Sequence, residues 1–96
     1  FHLYNSAKRE VFEQYLNQIG RDVIGRFVDQ QAEGLSVKEE DKRLLTTFYC
    51  SALTGLVVEW LGTGMKYDAR EMIRRLGKML DGEIRNALLR VSKADF

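Results

Sequence analysis

The sequence has few of the residues that proteins use for disulfides and metal sites, and it lacks the excess positive charge that is typical of nucleic-acid binding. It has one cysteine and one histidine, and its formal net charge is only +1. A lone cysteine excludes an intrachain disulfide framework and a cysteine-rich metal site. The near-neutral balance argues against nucleic-acid binding by this chain alone, because phosphate binding usually requires a basic surface.

Candidate catalytic groups are equally scarce. His2 lies at the start of the chain, where a surface position is more expected than a catalytic or metal-binding one. Cys50 has no adjacent basic residue, so we interpret it as an inert core thiol rather than a nucleophile. The carboxylates form no pair-and-histidine arrangement of metal-ligand type. We therefore expect no enzyme activity, no catalytic or metal-binding residue and no cofactor.

Proline, fixed-period repeats and low-complexity tracts are absent, and the 96 residues are enough for a single domain spanning 1–96. No signal peptide is recognisable. The longest uncharged run, fifteen residues between Arg43 and Glu59, is too short and too rich in hydroxyl groups for a bilayer that needs about 20 apolar residues. We expect a soluble, cytoplasmic protein without a membrane span. Because the chain opens on Phe1 rather than Met, we also expect that preceding residues are missing.

Helical periodicity is what the sequence does contain. The first predicted helix begins near Ser6, and its apolar residues recur at steps of one, three or four up to Val28. Gly20 and Gly25 interrupt it and predict a bend, a break into two helices or a close contact. Gly34 then provides a C-terminal stop.

Two further helices are predicted from capping signals. Ser36 and Glu39 form a capping-box pattern, which predicts that the second helix starts there and continues to Gly62. Asp68 is the expected N-cap of a third helix that extends to about Arg90. Because short connections place consecutive helices antiparallel, we expect an all-α fold in which the long first helix packs on an antiparallel helical hairpin.

The second helix has two uncharged faces. We assign one face to the core formed with the first and third helices; it comprises Tyr49, Ala52, Leu53, Leu56 and Trp60. The other face is made mostly of small residues and comprises Ser51, Gly55, Val58 and Gly62. Small residues at this spacing let two helix backbones approach closely, and the absence of charge indicates a neighbour other than water. We expect a second subunit there; the alternative is that the first helix of the same chain covers this face.

Other residues allow more than one interpretation. Six aromatic side chains could line an effector pocket, although core filling explains most of them: Phe12, Tyr15, Phe27, Phe48, Tyr49 and Trp60. Methionines recur every seven residues at positions 65, 72 and 79, for which core packing is favoured over a special binding role. The basic stripe of Arg70, Arg74 and Lys78 is interpreted as a solvated face with salt bridges to Glu71 and Asp81, and Glu59 as a solvated position.

Residues 48–76, "FYCSALTGLVVEWLGTGMKYDAREMIRRL", resemble the C-terminal regulatory domain of tetracycline-repressor-like (TetR) transcriptional regulators. The shared features begin with an aromatic pair (Phe48 and Tyr49), a small-residue pair (Ser51 and Ala52) and a glycine followed by aliphatic residues (Gly55 to Val58). They continue with a tryptophan-leucine pair (Trp60 and Leu61), a glycine-methionine pair (Gly64 and Met65) and an acidic cap (Asp68).

This resemblance implies a homodimer in which the last two helices of each subunit form an intersubunit four-helix bundle. The resemblance therefore adds four residues of the third helix to the expected dimer interface on the second helix: Met72, Leu76, Met79 and Leu80. The resemblance also implies a small apolar or amphipathic effector, or a protein coactivator, as a further partner. The family's helix-turn-helix domain is absent from this chain, so DNA binding would belong to a missing N-terminal domain. The alternative is a helical adaptor module that binds an unlike protein through the same surface.

Overall fold

The computed structural model of the chain describes residues 6–92, so His2 lies outside the described residues. Within this range the chain forms four α-helices and no strand, which confirms the all-α class. The helices are α1 (Ser6–Gln31), α2 (Glu39–Gly62), α3 (Ala69–Met79) and α4 (Glu83–Val91). Extensive contacts join α1 to α2, and much smaller contacts join α4 to α1 and to α2.

Helix α1 is continuous through both of its internal glycines. A Cβ placed on Gly20 would lie 2.7 Å from Sγ of Cys50 in α2, whereas a Cβ on Gly25 would lie 3.9 Å from Cγ2 of Thr46. The first distance is shorter than real Cβ contacts allow and the second is ordinary van der Waals contact. Of the three expectations for Gly20, the structure therefore shows the close contact.

Helices α1 and α2 are the antiparallel pair of the fold. Cys50 lies beside Gly20, and Nζ of Lys42 forms an ion pair with Asp29 at 3.2 Å. The later residue of α1, Asp29, thus contacts the earlier residue of α2, Lys42, so the two helices run antiparallel. The sequence predicts an antiparallel arrangement for consecutive helices and assigns the helical hairpin itself to the second and third.

Helix α2 does not start from the predicted capping box. It begins at Glu39 with Lys38 as N-cap, and no side chain caps it. Ser36 lies two residues before that N-cap, and the Glu39 carboxylate instead pairs with Lys42 at 3.0 Å. The start is stabilised by acidic residues in the first turn, which interact favourably with the positive end of the helix dipole.

Helix α2 ends at Gly62, as predicted, in a Schellman motif. The Met65 amide donates to the Trp60 carbonyl at 3.1 Å, and the Gly64 amide donates to the Leu61 carbonyl at 3.0 Å. Gly64 has φ 78°, a left-handed conformation that glycine adopts without steric cost.

The predicted third helix is in fact two helices. Its start is as predicted, because the Asp68 carboxylate accepts a hydrogen bond from the Arg70 amide at 3.0 Å. It ends at Met79, however, and α4 begins only at Glu83. Between them Gly82 has φ 79°, which a right-handed helix cannot accommodate.

The buried core is small and joins α1 to α4. Its central residues are Val28, Ala32, Ile84 and Leu88, and partly buried side chains around it include Ile24, Leu35, Val37, Leu45 and Tyr49. The predicted core face of α2 is only half-buried, and its Ala52 is exposed. The reason is that α1 packs on the Cys50 side of α2 and that α3 contains no buried residue.

Candidate effector cleft and dimer face

An open apolar cleft of 440 Å³ lies where α1, α2, α3 and the start of α4 approach one another. This volume is in the range of about 300–1,000 Å³ that is typical of small-molecule sites. Its apolar lining comes from all four helices and the α3–α4 link: Ile24, Phe27, Phe48, Tyr49, Ala52, Leu53, Leu56, Ile73, Leu76, Leu80 and Ile84. We call this feature the cleft.

The cleft exists because α3 does not close onto the other helices. Left-handed turns flank α3 at Gly64 and Gly82, and the helix has no buried residue of its own. Its Ile73 side chain is 44% exposed although it faces an apolar surface. The space that a compact core would fill is therefore open.

One end of the cleft is polar. Gln31, Asp81 and Arg85 line it there, and the Arg85 and Gln31 side chains are half-buried whereas Asp81 is exposed. Nη1 of Arg85 donates to the carbonyl of Gln31 and, at 3.2 Å, to that of Glu33. The guanidinium thus caps the C-terminal end of α1, where unpaired carbonyls carry partial negative charge.

Of the six aromatic residues predicted for a pocket, Phe27 and Phe48 line the cleft, and so does Tyr49. Its ring makes an edge-to-face contact with Phe48, with centroids 5.3 Å apart. Phe12 and Tyr15 lie toward the start of α1, whereas the cleft begins at Ile24, and Tyr15 is 62% exposed.

Trp60 is also outside the cleft lining among residues 6–92. Its Nε1 donates to the Tyr67 carbonyl at 2.7 Å and so holds the turn between α2 and α3. The structure therefore brings Phe27, Phe48 and Tyr49 together in the cleft and leaves Phe12, Tyr15 and Trp60 outside it.

The small-residue face of α2 is open to solvent in the protomer. Ser51, Gly55 and Gly62 are exposed and Val58 is half-buried. A Cβ on either glycine would meet no atom of the described residues within 4 Å. The alternative that α1 covers this face is not what the structure shows.

The interface residues predicted on the third helix divide into two groups. Leu76 and Leu80 line the cleft of their own protomer. Met79, at 67% exposure, and half-buried Met72 do not line it. Only the second group is therefore available to a partner without competing with the cleft.

Sequence reasoning missed the polar end of the cleft. Arg85 meets the end of α1 across 54 positions of sequence, a relationship that no local spacing predicts. The break at Gly82, which turns α4 so that Arg85 can reach α1, was also unforeseen. The sequence signal for this break is Gly82 itself, since glycine is unfavourable inside a helix.

Several other charged residues form ion pairs at the surface of the described helices. Glu71 accepts from Arg74 at 2.6 Å, which confirms one predicted salt bridge of the basic stripe and raises the pKa of Arg74 through that hydrogen bond. Hydrogen bonds to Glu39 and then Asp29 likewise raise the pKa of Lys42. Within residues 6–92, no group of three or more histidine, cysteine and acidic residues could hold a metal ion.

Helix α2 is long and apolar enough to cross a bilayer by length and composition alone, with a mean hydropathy of 1.4 over its most apolar window. A single helix of this kind is weak evidence for a span, because core helices of soluble proteins have the same character. In the single chain 11% of that window is buried. Most of the apolar window of α2 is therefore exposed.

A family model described as a transcriptional regulator C-terminal region, of the TetR type, matches residues 1–82. The chain belongs to this TetR family. No curated protein and no solved structure matches it. TetR membership confirms the resemblance of residues 48–76 and makes the chain a region of a transcriptional regulator. The TetR family is a non-enzymatic family. Membership of this family favours the interpretation of α2 as a helix of a soluble protein over its interpretation as a membrane span.

Proposed function

We propose that this TetR-family region forms a homodimer through the small-residue face of α2 and senses an effector in the cleft. Residues 1–96 act as one domain in this proposal, and DNA contact belongs to another part of the regulator. The observation that carries the proposal is the open space around Gly55, on a helix that is nearly free of charge beyond its first turns.

The arrangement of three faces around α2 supports separate surfaces for dimerisation and effector binding. Cys50 faces α1, Leu56 faces the cleft and Gly55 faces solvent. At 3.6 residues per turn, these faces are centred roughly 120° apart around the helix. A partner on the Gly55 face would therefore leave the cleft of each protomer accessible.

The α3 residues outside the cleft extend the proposed interface. Met79 and Met72 are apolar, flexible side chains that adapt to irregular surfaces. Together with the α2 face they would give four helices at the subunit boundary, two from each protomer. An exposed apolar side chain such as Met79 beside an uncharged helix face suits an interaction site.

The dimer is tested by light scattering on three proteins. Wild type should have the mass of a dimer at micromolar concentration. Gly55→Arg places a charge against the partner and should give a folded monomer, as judged by circular dichroism. Gln18→Arg adds the same charge to an exposed position of α1 and should remain dimeric. A monomeric wild type would contradict dimerisation, and a dimeric, folded Gly55→Arg would show that another face is used.

A further inference from the structure

Arg85 is the one cationic residue among those that line the cleft. Its side chain is half-buried at the polar end, next to the apolar surface formed by residues such as Phe27 and Ile84. A charge in such a position interacts more strongly with an opposite charge than it would in bulk water, because the surrounding effective dielectric is lower.

The Arg85 guanidinium is only partly used by the protein. An arginine has five N–H donors, and the hydrogen bonds to the Gln31 and Glu33 carbonyls both come from Nη1. The ion pairs formed among residues 6–92 do not include Arg85. Its charge therefore faces the cleft, and no carboxylate of residues 6–92 forms an ion pair with it.

We propose that the cleft binds a small amphipathic acid. The apolar body of the ligand lies between α2 and α3, against side chains such as Leu56 and Leu76, and its carboxylate accepts hydrogen bonds from Arg85. Arginine suits this role because its planar fork matches the two oxygens of a carboxylate. This inference rests on the proposed function of the cleft and specifies the chemical class of the effector.

Asp81 is the group that opposes an anionic ligand. It also lines the cleft, but it is exposed, so solvent and salt screen its charge more than that of half-buried Arg85. The balance of the two charges favours an acid over an amine. Removal of the Asp81 charge should therefore strengthen binding, which gives a control with the opposite sign.

The test compares decanoate with 1-decanol, which share one apolar chain and differ in charge. Both are titrated below their micellar concentrations into the wild-type protein at neutral pH, and binding is followed by calorimetry and amide NMR shifts. Decanoate should bind about ten-fold more tightly than decanol, as expected for a charge-assisted hydrogen bond. The amide shifts should map to the cleft.

Three variants separate the charge of Arg85 from its structural role. Arg85→Met should bind both compounds equally, and Asp81→Asn should bind decanoate more tightly than wild type does. Arg85→Lys keeps the charge without the fork and should show an intermediate preference, even if Arg85→Met does not fold.

The outcomes distinguish this inference from the proposed function. Equal binding of the two compounds to wild type would overturn the acid class and leave the cleft as an apolar effector site. A decanoate preference that survives in both Arg85 variants would overturn the role of Arg85. Binding of neither compound would overturn the inference and remove the support for effector sensing in the cleft, while the light-scattering result on the dimer would stand.

Discussion

Gly20 and Cys50 determine how closely α1 and α2 approach. A Cβ on Gly20 would lie 2.7 Å from the Cys50 sulfur, and that sulfur is completely buried. The thiol donates toward the carbonyl and the Oδ1 of Asn17, each at 3.3 Å. The fold thus uses its single cysteine as a buried packing residue at the point of closest approach.

This relationship predicts a sign reversal in a double-mutant cycle. Gly20→Ala should destabilise the wild type by about 1 kcal/mol, because overpacking outweighs the gain in helix propensity. In a Cys50→Ala background the same change should stabilise by up to about 1 kcal/mol, since the sulfur is gone. Chemical denaturation of the four proteins measures both effects.

Gly25→Ala is the matched control for that cycle. Its Cβ would make ordinary contact with Thr46 at 3.9 Å, so the variant should be more stable than wild type by up to about 1 kcal/mol. Destabilisation by Gly25→Ala would indicate that α1 is less regular than described.

The break between α3 and α4 predicts opposite effects at two glycines. Gly82 has φ 79°, so Gly82→Ala should destabilise by about 1–2 kcal/mol. Gly77 lies within α3 in open space and at ordinary φ, so Gly77→Ala should stabilise by about 0.5–1 kcal/mol. Thermal unfolding measures the pair; stabilisation by both would mean that the helix continues through Gly82.

The cap of α3 predicts a local effect. Asp68→Ala removes the bond to the Arg70 amide and should cost α3 about 1 kcal/mol, or roughly five-fold faster amide exchange. Because α3 has no buried residue, the exchange should rise within Ala69–Met79 and little elsewhere. Ser36→Ala, at a residue that caps no helix, should leave exchange in α2 unchanged.

The Lys42 ion pairs predict a pH dependence. Hydrogen bonds to Glu39 and Asp29 raise the pKa of Lys42 above its ordinary value of 10.5, so their stabilisation is present below that value and is lost as pH rises through the folded-state pKa. The difference in Tm between wild type and Lys42→Met should be full at neutral pH and should fall as pH rises above 10.5 and through the raised folded-state pKa of Lys42. A difference that persists at high pH would show that packing of the lysine stem, rather than charge, is responsible.

The sequence by itself was sufficient for the helical class, for the end of α2 at Gly62 and for the Asp68 cap. Each of these depends on periodicity or on hydrogen bonds between residues a few positions apart, which local sequence encodes. The Ser36 capping box failed although its residue types were right, because Glu39 pairs with Lys42 and the helix starts later.

Only the tertiary structure decided which face of α2 meets which neighbour. The approach of Gly20 to Cys50 and the reach of Arg85 to the end of α1 each join residues far apart in sequence. Helical periodicity shows that a face is apolar, but several neighbours could bury it at similar free energy, since hydrophobic burial is non-directional. The absence of a side chain at Gly20 and the left-handed turn at Gly82 determine which neighbour packs on which face of α2. The cleft and the Gly55 face both remain open as a result.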